Sequence, residues 1–308
     1  MARCLVIGAN GFLGSHLVDE LIRRGHEVTA FDRFSASKPL YTAENVAVVV
    51  GDFLNRADVT RALRRQEFVF HFISTTTPMS ADDDPTLDVR TNVASSIDLF
   101  GLCVEAGVRR VYFASTGGAI YGNQAGEPLT ELSLPQPVSP YAIGKLTIER
   151  YLHYFERKYG LQSVALRISN PYGPGQRANK VQGVIPIFLR RAHAGLPLTV
   201  YGDGSMVRDY IFVSDVVRMV VNTVEAEAAQ SLYNIGSGAG TSVSELIEVI
   251  QDVTARSLQL EHVPVPPTFI DHAVLDVSRF DQEFGVGQTS SLRDGIELTW
   301  RSILEEPL

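Results

Sequence analysis

Two tyrosine–lysine pairs four residues apart, Tyr141…Lys145 and Tyr154…Lys158, have the types and spacing for proton transfer. A spacing of four places both side chains on one helix face. An ammonium beside a phenol stabilises the phenolate, so the expected effect is a tyrosine pKa drawn down toward neutrality. Context separates the pairs. Ser139-Pro140 supplies a cap and a first-turn proline, so Tyr141 opens a helix. Tyr154 lies 13 residues further on, about 220° around at 3.6 residues per turn, and is read as packing or surface. A second constellation is ASTGGAIYG over residues 114–122, directly after the apolar Val111-Tyr112-Phe113. Its glycines let a substrate approach. A hydroxyl, from Thr116 or from Ser115, hydrogen-bonds the reacting oxygen or relays its proton to Tyr141. Such a loop at the carboxyl end of a parallel strand is where open α/β sheets bind ligands.

A third stretch, Gly8-Ala9-Asn10-Gly11-Phe12-Leu13-Gly14, stands between an apolar run and a helical pattern. A tight strand-to-helix turn there needs residues without Cβ, and the helix N-terminus offers N–H groups to phosphates. Asp32 ends the next strand-like run, 18 residues beyond Gly14. An acid at that place accepts ribose hydroxyls and repels a 2′-phosphate, which selects NAD over NADP. Arg33 is read as a bystander to that choice.

The elements that position these residues alternate. Strand-like runs at Arg3–Ile7, Glu27–Phe31, Val46–Val50, Phe68–Ile73 and Arg110–Ala114 are interleaved with helical patterns at Phe12–Arg24, Ala57–Arg65 and Asp88–Ala106. A long helical pattern from Tyr141 toward Lys158 precedes the strand-like Ser163–Ile168. Alternation of this kind implies α/β architecture with a doubly wound parallel (Rossmann) sheet. After Asn170 the texture turns to shorter elements. Residues 1–170 are expected to form the dinucleotide-binding domain, with a returning segment near 210–226, and residues 171–308 a smaller α/β substrate lobe. Composition is ordinarily globular, at 45% hydrophobic and 20% charged residues. The net charge of −8 argues against nucleic acid as a partner. No apolar run reaches the roughly 20 residues of a membrane span, and the two cysteines, Cys4 and Cys103, read as buried thiols. A cytoplasmic enzyme without a metal is the expectation.

With its Gly-x-x-Gly-x-x-Gly spacing, the chain resembles the extended short-chain dehydrogenase/reductase family, in its nucleotide-sugar epimerase/dehydratase branch. The resemblance implies a Ser/Thr–Tyr–Lys triad of Thr116 or Ser115 with Tyr141 and Lys145. It also implies cofactor contacts at Asp52 and Phe53, at Ser74 and at Asn92. Asn170, Val184 and Ile185 match sugar-nucleotide contacts, and Arg208, within YGDGSMVRDYIFVSDV, matches a diphosphate clamp; an ion pair with Asp209 is the other use of that arginine. A guanidinium suits a doubly charged diphosphate. The second diphosphate arginine of the pattern falls on Pro266 and its companion acid on Phe269, which leaves its role to another residue such as Arg177. Dehydratases of the branch carry an Asp-Glu pair where this chain has Gly118 and Ala119. The resemblance therefore implies a UDP-glucose 4-epimerase-like enzyme holding NAD and taking a UDP-hexose or UDP-N-acetylhexosamine. Ala273 stands at the position gating the C2 substituent and leaves room for an N-acetyl group. A nucleotide-4-ketosugar reductase is the alternative. A homodimer built on the two long helices is implied as well.

Overall fold

The computed structural model describes residues 1–35, 39–124, 128–176 and 183–305. The strands are β1 (Arg3–Ile7), β2 (Glu27–Asp32), β3 (Ala47–Val50), β4 (Phe68–His71), β5 (Arg110–Thr116), β6 (Gln162–Ile168), β7 (Asn170–Tyr172), β8 (Leu198–Tyr201), β9 (Val207–Phe212), β10 (Leu232–Ile235), β11 (Gly240–Ser242), β12 (Leu260–Val263) and β13 (His272–Ala273). Seven of them form a parallel sheet in the order β3-β2-β1-β4-β5-β6-β10. The order in which the strands are added reverses between β1 and β4, the switch point at which doubly wound sheets take ligands. The expected Rossmann architecture is the observed one.

The chain divides into two compact units. One comprises residues 1–116, 139–167 and 217–233, the other 117–138, 168–216 and 234–308. In the first, the central strands β1 and β4 are buried nearly end to end, which explains their unbroken apolar runs. Leu5, Ile7, Val69, Val111 and Phe113 share a core with Leu99, Phe100 and Leu102 of the helix Ala94–Ala106 and with Ile148, Leu152 and Phe155 of the helix Pro140–Tyr159. Each such side chain contributes about 1.5–3 kcal/mol through burial. The long helix starts as its sequence dictates: Ser139 Oγ accepts the Ala142 N–H, Pro140 fills the first turn, and Gly160 at φ 72° ends it. The helical pattern from Asp88 to Ala106 is broken. A short helix, Pro85–Asp88, runs through a π-helical turn at Val89–Val93 before the regular helix begins.

The second unit has a core of Tyr172, Ile185, Phe188, Leu189, Tyr210, Phe212, Leu246, Ile250 and Trp300, among others. Its central strand β9 pairs with β7 and β13 in parallel and with β11 antiparallel. Among the described residues no helix is long and apolar enough to cross a membrane.

Candidate active site

The glycine turn of the first unit is closed by its own backbone. Gly11 N–H donates to the Gly8 carbonyl at 2.9 Å, and Ser15 N–H to the Gly11 carbonyl at 3.0 Å. Gly8 has φ +89°, and a Cβ there would stand 2.8 Å from the Ile73 backbone nitrogen. A Cβ on Gly14 would stand 2.0 Å from the Gly8 carbonyl oxygen. Only glycine fits either place. Phe12 and Leu13 are half-buried in the first turn of the helix Phe12–Arg23, where Gly11 makes no side-chain cap and no acid occurs. Those N-terminal N–H groups are thus left for an anion. At the end of β2, Asp32 Oδ2 accepts the Asn10 N–H at 3.0 Å and Oδ1 the Arg33 N–H at 2.7 Å. These bonds fix the carboxylate and leave lone pairs for hydroxyl donors. Leu54 N–H donates to Asp52 Oδ1 at 2.9 Å, Phe53 is buried against the His71 ring at 5.3 Å, and Ser74 Oγ donates to the Thr76 carbonyl at 2.8 Å. Asn92, inside the π turn, accepts from Thr75 N–H at 2.9 Å and donates to Asp88 Oδ1 at 2.7 Å. An uncapped helix start, a Cβ-free cradle and an anchored carboxylate at the end of β2 fit a dinucleotide such as NAD.

Lys145, on the long helix, is buried and donates its Nζ hydrogen to the Ala114 carbonyl at 2.8 Å. The ammonium lies 4.8 Å from the Phe113 ring centre and 5.6 Å from that of Tyr141. Burial draws its pKa down to about 8, against the opposing pull of the Asp88 and Glu149 carboxylates. The Tyr141 phenol moves the other way from expectation. Burial first, and the Asp88 carboxylate second, push it up to about 12. The expectation of a phenol drawn toward neutrality counted the lysine and omitted both desolvation and Asp88.

The two candidate hydroxyls point to different duties. Ser115 Oγ donates to Glu149 Oε1 at 2.5 Å, and the same carboxylate accepts Arg167 Nε at 3.1 Å and Nη2 at 2.7 Å. Thr116, the next residue on β5, has a half-exposed side chain whose hydroxyl has no hydrogen-bond partner among the described residues. Tyr154 stands on the surface and accepts a 2.8 Å bond from Lys158.

In the second unit, Gly117–Ile120 forms a short helical turn. A Cβ on Gly118 would come within 3.3 Å of the Asn170 amide, whose Nδ2 donates to the Asp209 carbonyl at 3.2 Å. Arg208 does not pair with Asp209. That buried carboxylate accepts from Ser237 N–H at 2.8 Å, Ser237 Oγ at 2.6 Å and the N–H groups of Gly238 and Leu275, both at 3.3 Å. Arg208 Nη1 instead donates to the Val207 and Asp271 carbonyls at 2.9 and 3.4 Å, and burial holds its pKa below the usual range. Ala273 is buried and sits opposite Arg208 in the β13–β9 register. Val184 is half-buried, whereas Ile185 is fully enclosed in the unit's own core. Pro266 and Phe269 close a turn, N–H to carbonyl at 3.1 Å, with the Phe269 ring 4.9 Å from Tyr201. Arg177 lies outside the described residues.

Sequence reasoning missed Asp88, Glu149 and Arg167. Glu149 carried a usable signal, because it follows Lys145 by four and shares its helix face. Asp88 carried none, since only folding brings it to the long helix.

Sheet order, glycine cradle and an acid at the end of β2 define a dinucleotide-binding α/β protein. Residues 4–236 match the NAD dependent epimerase/dehydratase family, and the chain belongs to that family. It is 34% identical to a UDP-glucose 4-epimerase of Mycolicibacterium smegmatis, with 96% of this chain and 97% of that one covered. It is 30% identical to a dTDP-4-dehydro-6-deoxyglucose reductase of Escherichia coli, over 97% of this chain and 96% of the other. A Thermus thermophilus UDP-glucose 4-epimerase, solved in complex with NAD, superposes with a TM-score of 0.92 at 33% identity, covering 98% of this chain and 99% of that one. The cofactor is NAD. The relatives differ in the reaction they catalyse.

Proposed function

We propose that this chain epimerises C4 of a UDP-hexose or UDP-N-acetylhexosamine through a transient 4-keto sugar. The observation that carries the reading is the composition of the proton site. Tyr141 and Lys145 share a helix face, Lys145 binds the Ala114 carbonyl two residues before Thr116, and the residues after Thr116, Gly117-Gly118-Ala119, hold no second acid or base. An elimination of water needs such a pair, whereas an epimerisation needs one group that takes a proton and gives it back. NAD, when bound, supplies reversible hydride transfer. Tyr141 removes the proton from the C4 hydroxyl and restores it. Thr116 donates a hydrogen bond to the same oxygen, and Lys145 offsets the charge of the phenolate. Ser115 serves the strand end through Glu149 and does not transfer protons. The roles proposed for Asn170 and Arg208 are to hold the sugar diphosphate; the capture of Asp209 by Ser237 and Gly238 supports this by leaving Arg208 free of its neighbour.

The purified protein, given UDP-galactose and no added cofactor, is expected to form UDP-glucose, followed by NMR. A ketosugar reductase would leave the sugar unchanged, and that outcome overturns the reading. For Ala273, a methyl beside the Arg208 register, the expectation is turnover of N-acetylated sugars as well. Ala273→Tyr should abolish turnover of UDP-N-acetylglucosamine while sparing UDP-glucose. Wild-type protein that turns over only the unsubstituted hexose refutes the gate.

A further inference from the structure

Asp88 is a carboxylate, 2% exposed, at the end of the short helix Pro85–Asp88. Its Oδ1 accepts the Thr76 hydroxyl at 2.5 Å and the Asn92 amide at 2.7 Å, two donors that fix the group. Its Oδ2 lies against the long helix at Gly144, where a Cβ would stand only 2.0 Å away. Gly144 directly precedes Lys145 on the helix that also carries Tyr141, and a side chain at that place would collide with the carboxylate. A carboxylate this enclosed is best matched by a compensating positive charge. The nearby cation is Lys145.

We propose that Asp88 is a positioning residue of the proton site: seated through Gly144, its carboxylate holds Lys145 as ammonium and keeps Tyr141 a phenol until the site is charged for reaction. The inference rests on Tyr141 being the acid/base. Both directions of titration agree with it. Burial first and Asp88 second raise Tyr141 to about 12, and Asp88 opposes the burial that lowers Lys145 to about 8. The other ionisable groups facing Lys145 are Glu149 on its own helix, itself paired with Arg167 of β6, and His71 of β4. Burial holds His71 near 3, so it is neutral and adds no charge of its own. Asp88 is thus the carboxylate acting on both members of the pair.

The test follows Tyr141 directly. Phenolate absorbance is titrated in the NAD-bound protein, and the same titration of Tyr141→Phe is subtracted to isolate that tyrosine. Asp88→Asn keeps the size and an acceptor for Thr76 but removes the charge. Its Tyr141 midpoint should fall by about one pH unit, the size of a lost like-charge interaction, and the kcat–pH profile should move toward acid. Asp88→Ser, smaller and also neutral, should show the same direction, and thermal unfolding of each variant verifies that it is folded. A midpoint unmoved in the folded variants overturns the role of Asp88. Turnover of Tyr141→Phe within a few-fold of wild type overturns instead the reading on which it rests.

Discussion

At the scale of single residues, the proposed proton site sets Tyr141 among groups whose burial and charge act on it. If Tyr141 is the acid/base, Tyr141→Phe should lower turnover by about 10²-fold or more, the size of a lost acid/base contribution, while NAD remains bound; steady-state rates and a cofactor-binding titration check both halves. Asp32 supports a second expectation. Its carboxylate is anchored by two backbone N–H groups at the end of β2. Asp32→Ala removes both a ribose acceptor and the repulsion of a 2′-phosphate, so affinity should shift from NAD toward NADP. Calorimetry with both dinucleotides reads the ratio, and a wild type that already binds NADP as tightly would make Arg33 a participant. The glycine turn, the place of Asp32 at a strand end and the shared helix of Tyr141 and Lys145 were legible in the sequence because their placement is local: a turn without Cβ, a strand-end acid, a spacing of four. The charge of Tyr141 was not. Its direction depends on burial and on Asp88, 53 positions earlier in the chain, and nothing in the sequence around Tyr141 announces either.

Elements place those groups, and a side-chain clamp holds two of them together. Ser115 on β5 and Arg167 on β6 both bind Glu149 of the long helix, while Lys145, one turn earlier, binds the carbonyl of Ala114. Arg167 and Glu149 are 3% and 9% exposed. Removing one partner of such a pair leaves a buried charge and costs about 3–5 kcal/mol, whereas removing both is far milder. Arg167→Met should therefore lower the denaturant midpoint sharply, and Arg167→Met combined with Glu149→Gln should recover most of the loss. Equal destabilisation of single and double variants would show that packing, not charge, is at stake. The early strands were readable to within a few residues because buried parallel strands are continuous apolar runs. The break at Val89–Val93 was not, since a π turn keeps helical periodicity in sequence and is defined by the hydrogen-bond shift that seats Asn92. Strand β10 also escaped notice: Leu232–Ile235 is four residues whose fate is decided by the edge of β6.

For the molecule as a whole, the surface of the first unit carries a feature that its own core leaves unused. Along the long helix, Ile143, Tyr151 and Tyr154 are exposed by 51%, 37% and 44%. Offsets of eight and eleven residues place all three on one helix face, within about 80° of arc. Val89, on the π turn packed against this helix, is 56% exposed. Apolar and aromatic side chains gathered on adjoining helices mark a surface that gains from being covered. A second copy offers the same stripe, and a two-fold axis brings like against like. The expected state is a homodimer, with about 800 Å² buried on each partner as stable interfaces require. Light scattering at micromolar concentration should give twice the mass of the 33.8 kDa chain. Replacing Ile143 and Tyr151 with aspartate places like charges opposite one another across the axis. That variant should run as a monomer with its circular dichroism unchanged. A wild-type protein that is monomeric at those concentrations refutes the pairing, and the stripe then has to be explained by a different partner.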